Sequence, residues 1–530
     1  MERFAGYNIS ALRRDLISGT IVGIIAIPLG MAFAIASGVD PEYGIYSTIV
    51  AGVMISLFGG SKFQIGGPTG AFIPILFGIV MHYGYDNLLL AGFMAGIILI
   101  LLGVFRLGVL IAFIPRPVVT GFTAGIAVII FSGQIANFLG LSGIEASDKF
   151  GVNMKEIALH LGTVNGPSVI TAAVCLLIIV LLPRVLPQVP ASLAGLIVSS
   201  TVAALFFQGK VATIGSAFGA IPSTLPQFHF PVITWDRIEM LLYPAFLIAV
   251  LGGIESLLSA VVADEMSGSK HHANRELIGQ GIANMAAPLF GGIPATGAIA
   301  RTATNIKSGA ASPLSGVIHG IVVFLVLILL APYASEIPLS SIAPLLMLVA
   351  WNMSERREFL RIAKTRTSDS FLLLITFLLT VWVNLMTAVE VGLILAVILF
   401  VKRMSDGLTV VNGRLDGTEG DIGAEAQDRE CPHPCQITIE GPLFFGSSNR
   451  FEKAMSRGMP HESVAVVLQL DKMPYMDMTG EYKLAAYIQP ILNAGGVVFV
   501  RGIQPQPLAM MKKTGLYRLI GENRFLEKSG

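Results

Sequence analysis

Phe58-Gly59-Gly60-Ser61-Lys62-Phe63-Gln64-Ile65-Gly66-Gly67-Pro68-Thr69-Gly70-Ala71 has a shorter counterpart in the second half of the chain, Phe290-Gly291-Gly292-Ile293-Pro294-Ala295-Thr296-Gly297-Ala298. Both run from Phe-Gly-Gly through a proline to Thr-Gly-Ala. Each leads into an apolar stretch, 68–81 and 297–308, too short to cross a bilayer. Two Gly/Pro-interrupted apolar segments at matching places in two halves point to the binding site of a transporter. A helix that starts inside the membrane leaves its first amides unpaired and presents a partial positive charge. Two such ends facing each other make a cradle for an anion. The glycines let a ligand approach the backbone, and Thr69 and Thr296 can add hydroxyl contacts. Arg301, one turn into the second short segment, adds a full charge able to grip an oxyanion with two donors.

The rest of the chain suits a membrane. Of its 530 residues 54% are hydrophobic and 13% charged, and the mean hydropathy is +0.73. Soluble domains carry about a quarter charged residues. A net charge of +1 leaves no basic stripe for nucleic acid. Runs of membrane-spanning length fall at 13–38, 43–59, 87–105, 115–138, 168–184 and 191–207, then at 240–263, 273–290, 312–332, 338–351, 368–384 and 386–403. With the two short elements this predicts an all-α membrane protein of fourteen segments, seven in each of two repeats spanning 13–207 and 240–403. No secretory cleavage site opens the chain, and the first apolar run is expected to continue as a membrane helix. With the N-terminus inside, cytoplasmic loops hold about seventeen Lys and Arg, against about four outside. Both termini are therefore expected in the cytoplasm.

After Arg403 the composition changes. Residues 404–434 read as a polar linker. From Cys435 to the end, strands at Gln436–Ile439, Val464–Leu470 and Val497–Arg501 alternate with helices at Glu481–Leu492 and Pro507–Lys513, which predicts a small α/β domain. Cys431-Pro-His-Pro-Cys435 carries zinc-type ligands, but no second ligand pair accompanies it, so a reduced loop and no metal are expected.

Glu255, in Leu251-Gly252-Gly253-Ile254-Glu255-Ser256, is an ionisable group inside an apolar span, and such groups default to function. It either carries a proton that couples anion uptake to the proton gradient or serves as a static counter-ion for Arg301. His271 and His272 read as a solvated loop, and Asp264 and Glu265 as capping or gating residues. Phe33 either lines the cavity or packs. An enzyme fits poorly: no nucleotide-binding loop, metal cluster or nucleophile–base pair is present in the sequence. A passive channel on the same scaffold remains the rival, one with no need of Glu255.

Several stretches resemble the SulP family of anion transporters with a C-terminal STAS domain. They are Ile27–Ala34, Gly38–Tyr46, Gly66–Thr69, Glu276–Gly281 with Asn284, and Phe290–Arg301. The resemblance implies an inverted repeat like that of uracil permease, with a core domain moving against a gate domain in an elevator-like motion, usually in a homodimer. It places the anion between the third and tenth helices. The candidate binding residues are then Thr69, Gly70, Ala71, Thr296, Ala298, Ile299, Arg301 and Phe33, with Glu255 for proton coupling. No cofactor is implied beyond a proton or sodium gradient. The chain looks closest to bacterial inner-membrane members that take up C4-dicarboxylates with protons, with sulfate or bicarbonate as the alternative. Bicarbonate relatives tend to have Asp at position 255 and lack Arg at 301. In the tail, Asp477-Met478-Thr479-Gly480 resembles a loop phosphorylated on serine in some soluble STAS proteins. Met478 stands in that serine's place, and Thr479 is expected to cap the following helix.

Overall fold

The computed structural model describes residues 7–108, 115–186, 189–224, 227–414, 435–457 and 465–526. It divides into two compact units, 1–393 and 394–530.

The first unit is helical. Its first repeat comprises α1 (Ile9–Ala36), α2 (Pro41–Phe58), the short α3 (Ile73–Tyr83), α4 (Tyr85–Val104), α5 (Arg116–Gly133), α6 (Gly166–Val185) and α7 (Ala191–Phe206). The second comprises α8 (Trp235–Ser267), α9 (Ala273–Leu289), the short α10 (Ile299–Lys307), α11 (Leu314–Ser335), α12 (Leu339–Met353), α13 (Ser368–Trp382) and the start of α14 (Leu385–Asp406), which continues past residue 393. Connecting helices at Phe150–Leu159, Ile214–Phe218 and Arg356–Lys364 are polar or brief enough to have read as loops.

Two helix groups emerge from the packing. Helices α1 to α4 interlock with α8 to α11 into a core, in which α9 lies between α2 and α4 while α11 lies between α1 and α2. Helices α5 to α7 pack with α12 and α13 into a second group, the gate. Small residues set the closeness of the core. A Cβ added at Gly96 of α4 would lie 2.6 Å from the Gly281 carbonyl oxygen of α9, and one at Gly281 would lie 2.6 Å from that of Gly96. Such backbone-to-backbone crossings are how helices associate where lipid offers no hydrophobic driving force.

The C-terminal unit has its own core. Its sheet runs in the order β3 (Thr409–Arg414), β4 (Cys435–Glu440), β5 (Ala465–Gln469), β6 (Val497–Arg501) and β7 (Phe525–Leu526). The β3–β4 pair is antiparallel and the rest are parallel. Helices α15 (Ser448–Arg457), α16 (Met478–Asn493), α17 (Pro505–Thr514) and α18 (Leu516–Ile520) accompany it. Ile437, Ile439, Val466, Leu468, Val498 and Val500 form the centre with Leu484, Ile488 and Met511. Strand β3 lies inside the stretch expected to be linker: Thr409, Val410 and Val411 are good strand residues, but Asn412 and Gly413 masked them. Cys431 and His433 lie outside the described residues. Cys435 starts β4 with its thiol buried, and that burial pushes its pKa up. At α16 the cap is Asp477, not Thr479. Its carboxylate accepts from the Gly480 amide at 2.7 Å and also from the Phe445 amide at 2.9 Å, a second bond that the Thr479 hydroxyl does not make.

Candidate functional site

The two interrupted helices meet. Gly66–Gly67 (β1) pairs antiparallel with Thr296–Gly297 (β2), joining Gly66 to Gly297 and Gly67 to Thr296. Beyond β1 a single 3-10 turn, Gly70–Phe72, leads into α3; beyond β2, Ala298 caps α10. The Ala298 amide donates to the Ile65 carbonyl at 2.8 Å, and the Ile65 amide donates to the Thr302 hydroxyl at 3.1 Å. Both short helices therefore start from one ladder, and at α3 the 3-10 turn takes up the Phe72 and Ile73 amides on the Thr69 and Gly70 carbonyls.

Each Phe-Gly-Gly corner is held by the opposite repeat. Glu276 of α9 is fully buried, and one of its carboxylate oxygens accepts from the Gly60 amide at 2.7 Å and the Ser61 amide at 3.0 Å. Its other oxygen accepts from the Gln280 side chain at 2.8 Å. No side chain fits at Gly60, where a Cβ would come 2.1 Å from the His272 carbonyl oxygen. At the second corner Gly291 adopts φ +73, and its carbonyl accepts from the Tyr85 hydroxyl at 2.6 Å. The Ser47 hydroxyl donates to the Ile293 carbonyl. Asn284 clamps the Ala295 peptide from both sides, donating at 2.7 Å and accepting at 2.9 Å. Asn305 of α10 in turn donates to the Phe63 carbonyl at 2.9 Å.

Within this frame Arg301 is 3% exposed. Its Nη2 donates to the Pro68 carbonyl at 3.2 Å, and its guanidinium carbon lies 5.9 Å from the centroid of the buried Phe33 ring. Its Nη1 has no hydrogen-bond partner among the described residues. A Cβ at Gly67 would lie 2.3 Å from that nitrogen, so only glycine leaves the guanidinium its place. Thr69 donates to a carboxylate oxygen of Glu255 at 2.8 Å, which ties α8 to the start of α3. Gly70 faces the gate: a Cβ there would come 2.8 Å from Met353 Sδ and 3.6 Å from both Ile130 and Val349.

The structure thus gathers Phe33, Thr69, Gly70, Ala71, Thr296, Ala298, Ile299, Arg301 and Glu255 around the ladder. Thr296 differs from Thr69 in its company. It is fully buried, donates to the Gly252 carbonyl at 3.1 Å and lies 2.7 Å from the Ser256 hydroxyl, whereas Thr69 is half-buried and meets α8 through the Glu255 carboxylate. Ala71 is fully buried, Ala298 nearly so, and Ile299 exposed. Sequence reasoning gave no site role to Ser256, Ile130, Val349 or Met353, nor to Gln64, whose side chain donates to the Ser256 carbonyl at 3.2 Å. Asp264 gathers the loop after α8: His271 is bonded to it at 2.8 Å through the ring and 2.9 Å through its amide, so His271 is not a solvated loop residue.

Comparison with known proteins decides the class. The family described as the sulfate permease family matches residues 12–376, and the STAS domain matches residues 425–528. The chain belongs to the sulfate permease family. As a member it is a multi-pass membrane transporter of anions and not an enzyme. It is 53% identical over 99% of its length, and 98% of the relative's, to the "Putative sulfate transporter YvdB" of Bacillus subtilis. It is 28% identical to the bicarbonate transporter BicA of Picosynechococcus, over 97% of this chain and 93% of that one. In fold it is similar to murine Slc26a9, an anion transporter solved in the inward-facing state, with TM-score 0.87 at 17% identity over 99% and 91% of the two chains. The transmembrane domain of a cyanobacterial BicA matches with TM-score 0.65 at 29% identity, over 74% of this chain and 98% of that one.

Proposed function

We propose that this family member carries a small oxyanion, sulfate in the first place, on the cradle formed by Arg301 and the starts of α3 and α10. One observation carries the reading: a buried guanidinium with Nη1 unpartnered, beside two helix N-termini. A buried cation is costly unless it is paired, and an oxyanion would supply the pair through two charge-assisted hydrogen bonds. Thr69, Gly70, Ala71, Ala298 and Ile299 would border the anion, Thr296 would brace the ladder, and Phe33 would cover the guanidinium. The relatives' names support sulfate and bicarbonate, and those reported above give C4-dicarboxylates no support. Bicarbonate is the second reading, favoured by the near full-length similarity to BicA.

Glu255, bonded to Thr69 at the mouth of the site, is the group proposed to couple uptake to protons. The protein is proposed to lie in a bacterial plasma membrane as a homodimer. Its termini are proposed to face the cytoplasm, which the charge asymmetry of the loops supports. The motion proposed is the core sliding against the gate.

The test is full-length protein in liposomes with labelled sulfate, bicarbonate and fumarate, with and without a proton or sodium gradient. Sulfate is expected to enter faster under an inward proton gradient. Arg301→Gln should abolish uptake of every anion, and Glu255→Gln should lose pH-dependent accumulation while keeping exchange. Sulfate uptake that survives Arg301→Gln would remove the cradle from the mechanism.

A further inference from the structure

Helix α11 carries a side chain that this reading leaves unused. His319 is wholly buried, and neither ring nitrogen has a hydrogen-bond partner of good geometry among the described residues; only the Gly316 carbonyl, one turn back, comes within reach. A Cβ added at Gly52 of α2 would lie 3.1 Å from His319 Nδ1 and 3.3 Å from the Gly66 carbonyl oxygen, so ring, helix and β1 meet at one point. On the next residue of that strand, Gly67 packs against Arg301 Nη1. The imidazole and the guanidinium therefore flank the same two-residue strand.

No other charged group competes there among the described residues. On α1 the acid facing α11 is Asp15, which is taken up by the Ala311 and Ser312 amides and the Ser312 hydroxyl, two turns before His319. Helix α2 meets α11 through Ile49, Gly52, Val53 and Ser56. The short helix Ile214–Phe218, which also packs on α11, brings no ionisable side chain. From α10, Asn305 reaches Ser315 as a neutral amide.

We propose that His319 takes up a proton when a doubly charged anion settles on Arg301, so that the site counts the charge of its substrate. This rests on the anion-site reading above. Beside an uncompensated cation in a dry interior, a partnerless imidazole stays neutral. A singly charged oxyanion neutralises Arg301 and changes little more. A doubly charged one adds a further negative charge to the same low-dielectric site, whatever Glu255 carries, and His319 is the base within that field. The proton passes from water to a ring-nitrogen lone pair. No bond of the anion changes, and the proton returns to water when the anion leaves.

Full-length protein in detergent, weakly buffered near neutral pH, is mixed with sulfate or with nitrate while an indicator dye reads proton uptake. Wild type should take up about one more proton per bound sulfate than per bound nitrate. That difference should vanish in His319→Gln and persist in Glu255→Gln. An equal proton count for the two anions in wild type, or an undiminished difference in His319→Gln, overturns the proposal. A measurement needing no variant stands beside it: wild-type sulfate affinity should fall about tenfold per pH unit relative to nitrate affinity on the alkaline side, and parallel pH profiles overturn the proposal. Wild type that binds neither anion would sink the anion site itself, and this inference with it.

Discussion

Arg301 and Gly67 form a pair that neither residue announces alone. The guanidinium keeps its place because position 67 has no side chain. Gly67→Ala displaces the tip of a flexible side chain but also strains the backbone at φ +154, so its fold is checked by a thermal melt before binding is read. It should weaken sulfate binding roughly tenfold or more, about 1.4 kcal/mol, as titration of purified protein would read. An unchanged affinity would mean that Nη1 does not touch the anion. Cys435 is a residue-scale test of the other unit. Its pKa is pushed up by burial, so the thiolate appears only above the usual thiol range. Alkylation by iodoacetamide should stay slow at pH 8 and accelerate on unfolding. Fast labelling of Cys435 in the native protein at that pH, located by peptide mapping apart from Cys175 and Cys431, would place the thiol outside the core.

The interrupted helices are the elements that the sequence disclosed best. Phe-Gly-Gly, proline and Thr-Gly-Ala at matched places foretold two short helices, and the structure begins α3 and α10 just beyond those motifs. What holds the corners was harder to read. Glu276 lies more than two hundred positions from Gly60, and nothing in its local sequence says that its oxygens reach back to that turn. Likewise both threonines of the repeat looked alike and both meet α8, but the buried Thr296 bonds the Gly252 backbone while Thr69 bonds the Glu255 carboxylate. Such choices are made by packing, which a single sequence does not display. Glu276→Ala strands two buried amides, at a cost of about 3 kcal/mol, and should lower the thermal midpoint in detergent by about 5 °C. Glu276→Gln, which keeps an acceptor, should lose less. Equal midpoints for Glu276→Ala and wild type would show that the corner holds without its carboxylate.

Across the whole molecule, the fourteen-element count and the α/β tail were legible because hydropathy and strand alternation are coarse signals. Strand β3 was not, because a turn-rich composition hid it. That difference has a measurable consequence. A fragment spanning 407–530 should unfold cooperatively by circular dichroism, whereas one starting at 435 lacks the strand that pairs with Cys435–Glu440 and should melt lower or aggregate through the bared edge. Identical melts would return residues 407–414 to a linker role. The ladder between Gly66–Gly67 and Thr296–Gly297 carries a further consequence, for how a cargo can be released. Prying the two segments apart would strip backbone hydrogen bonds at a depth where no water waits to replace them. On the function proposed above, the cradle does not open like a pair of jaws. On that reading it travels whole, and the withdrawal of neighbours such as Met353 is what uncovers its contents.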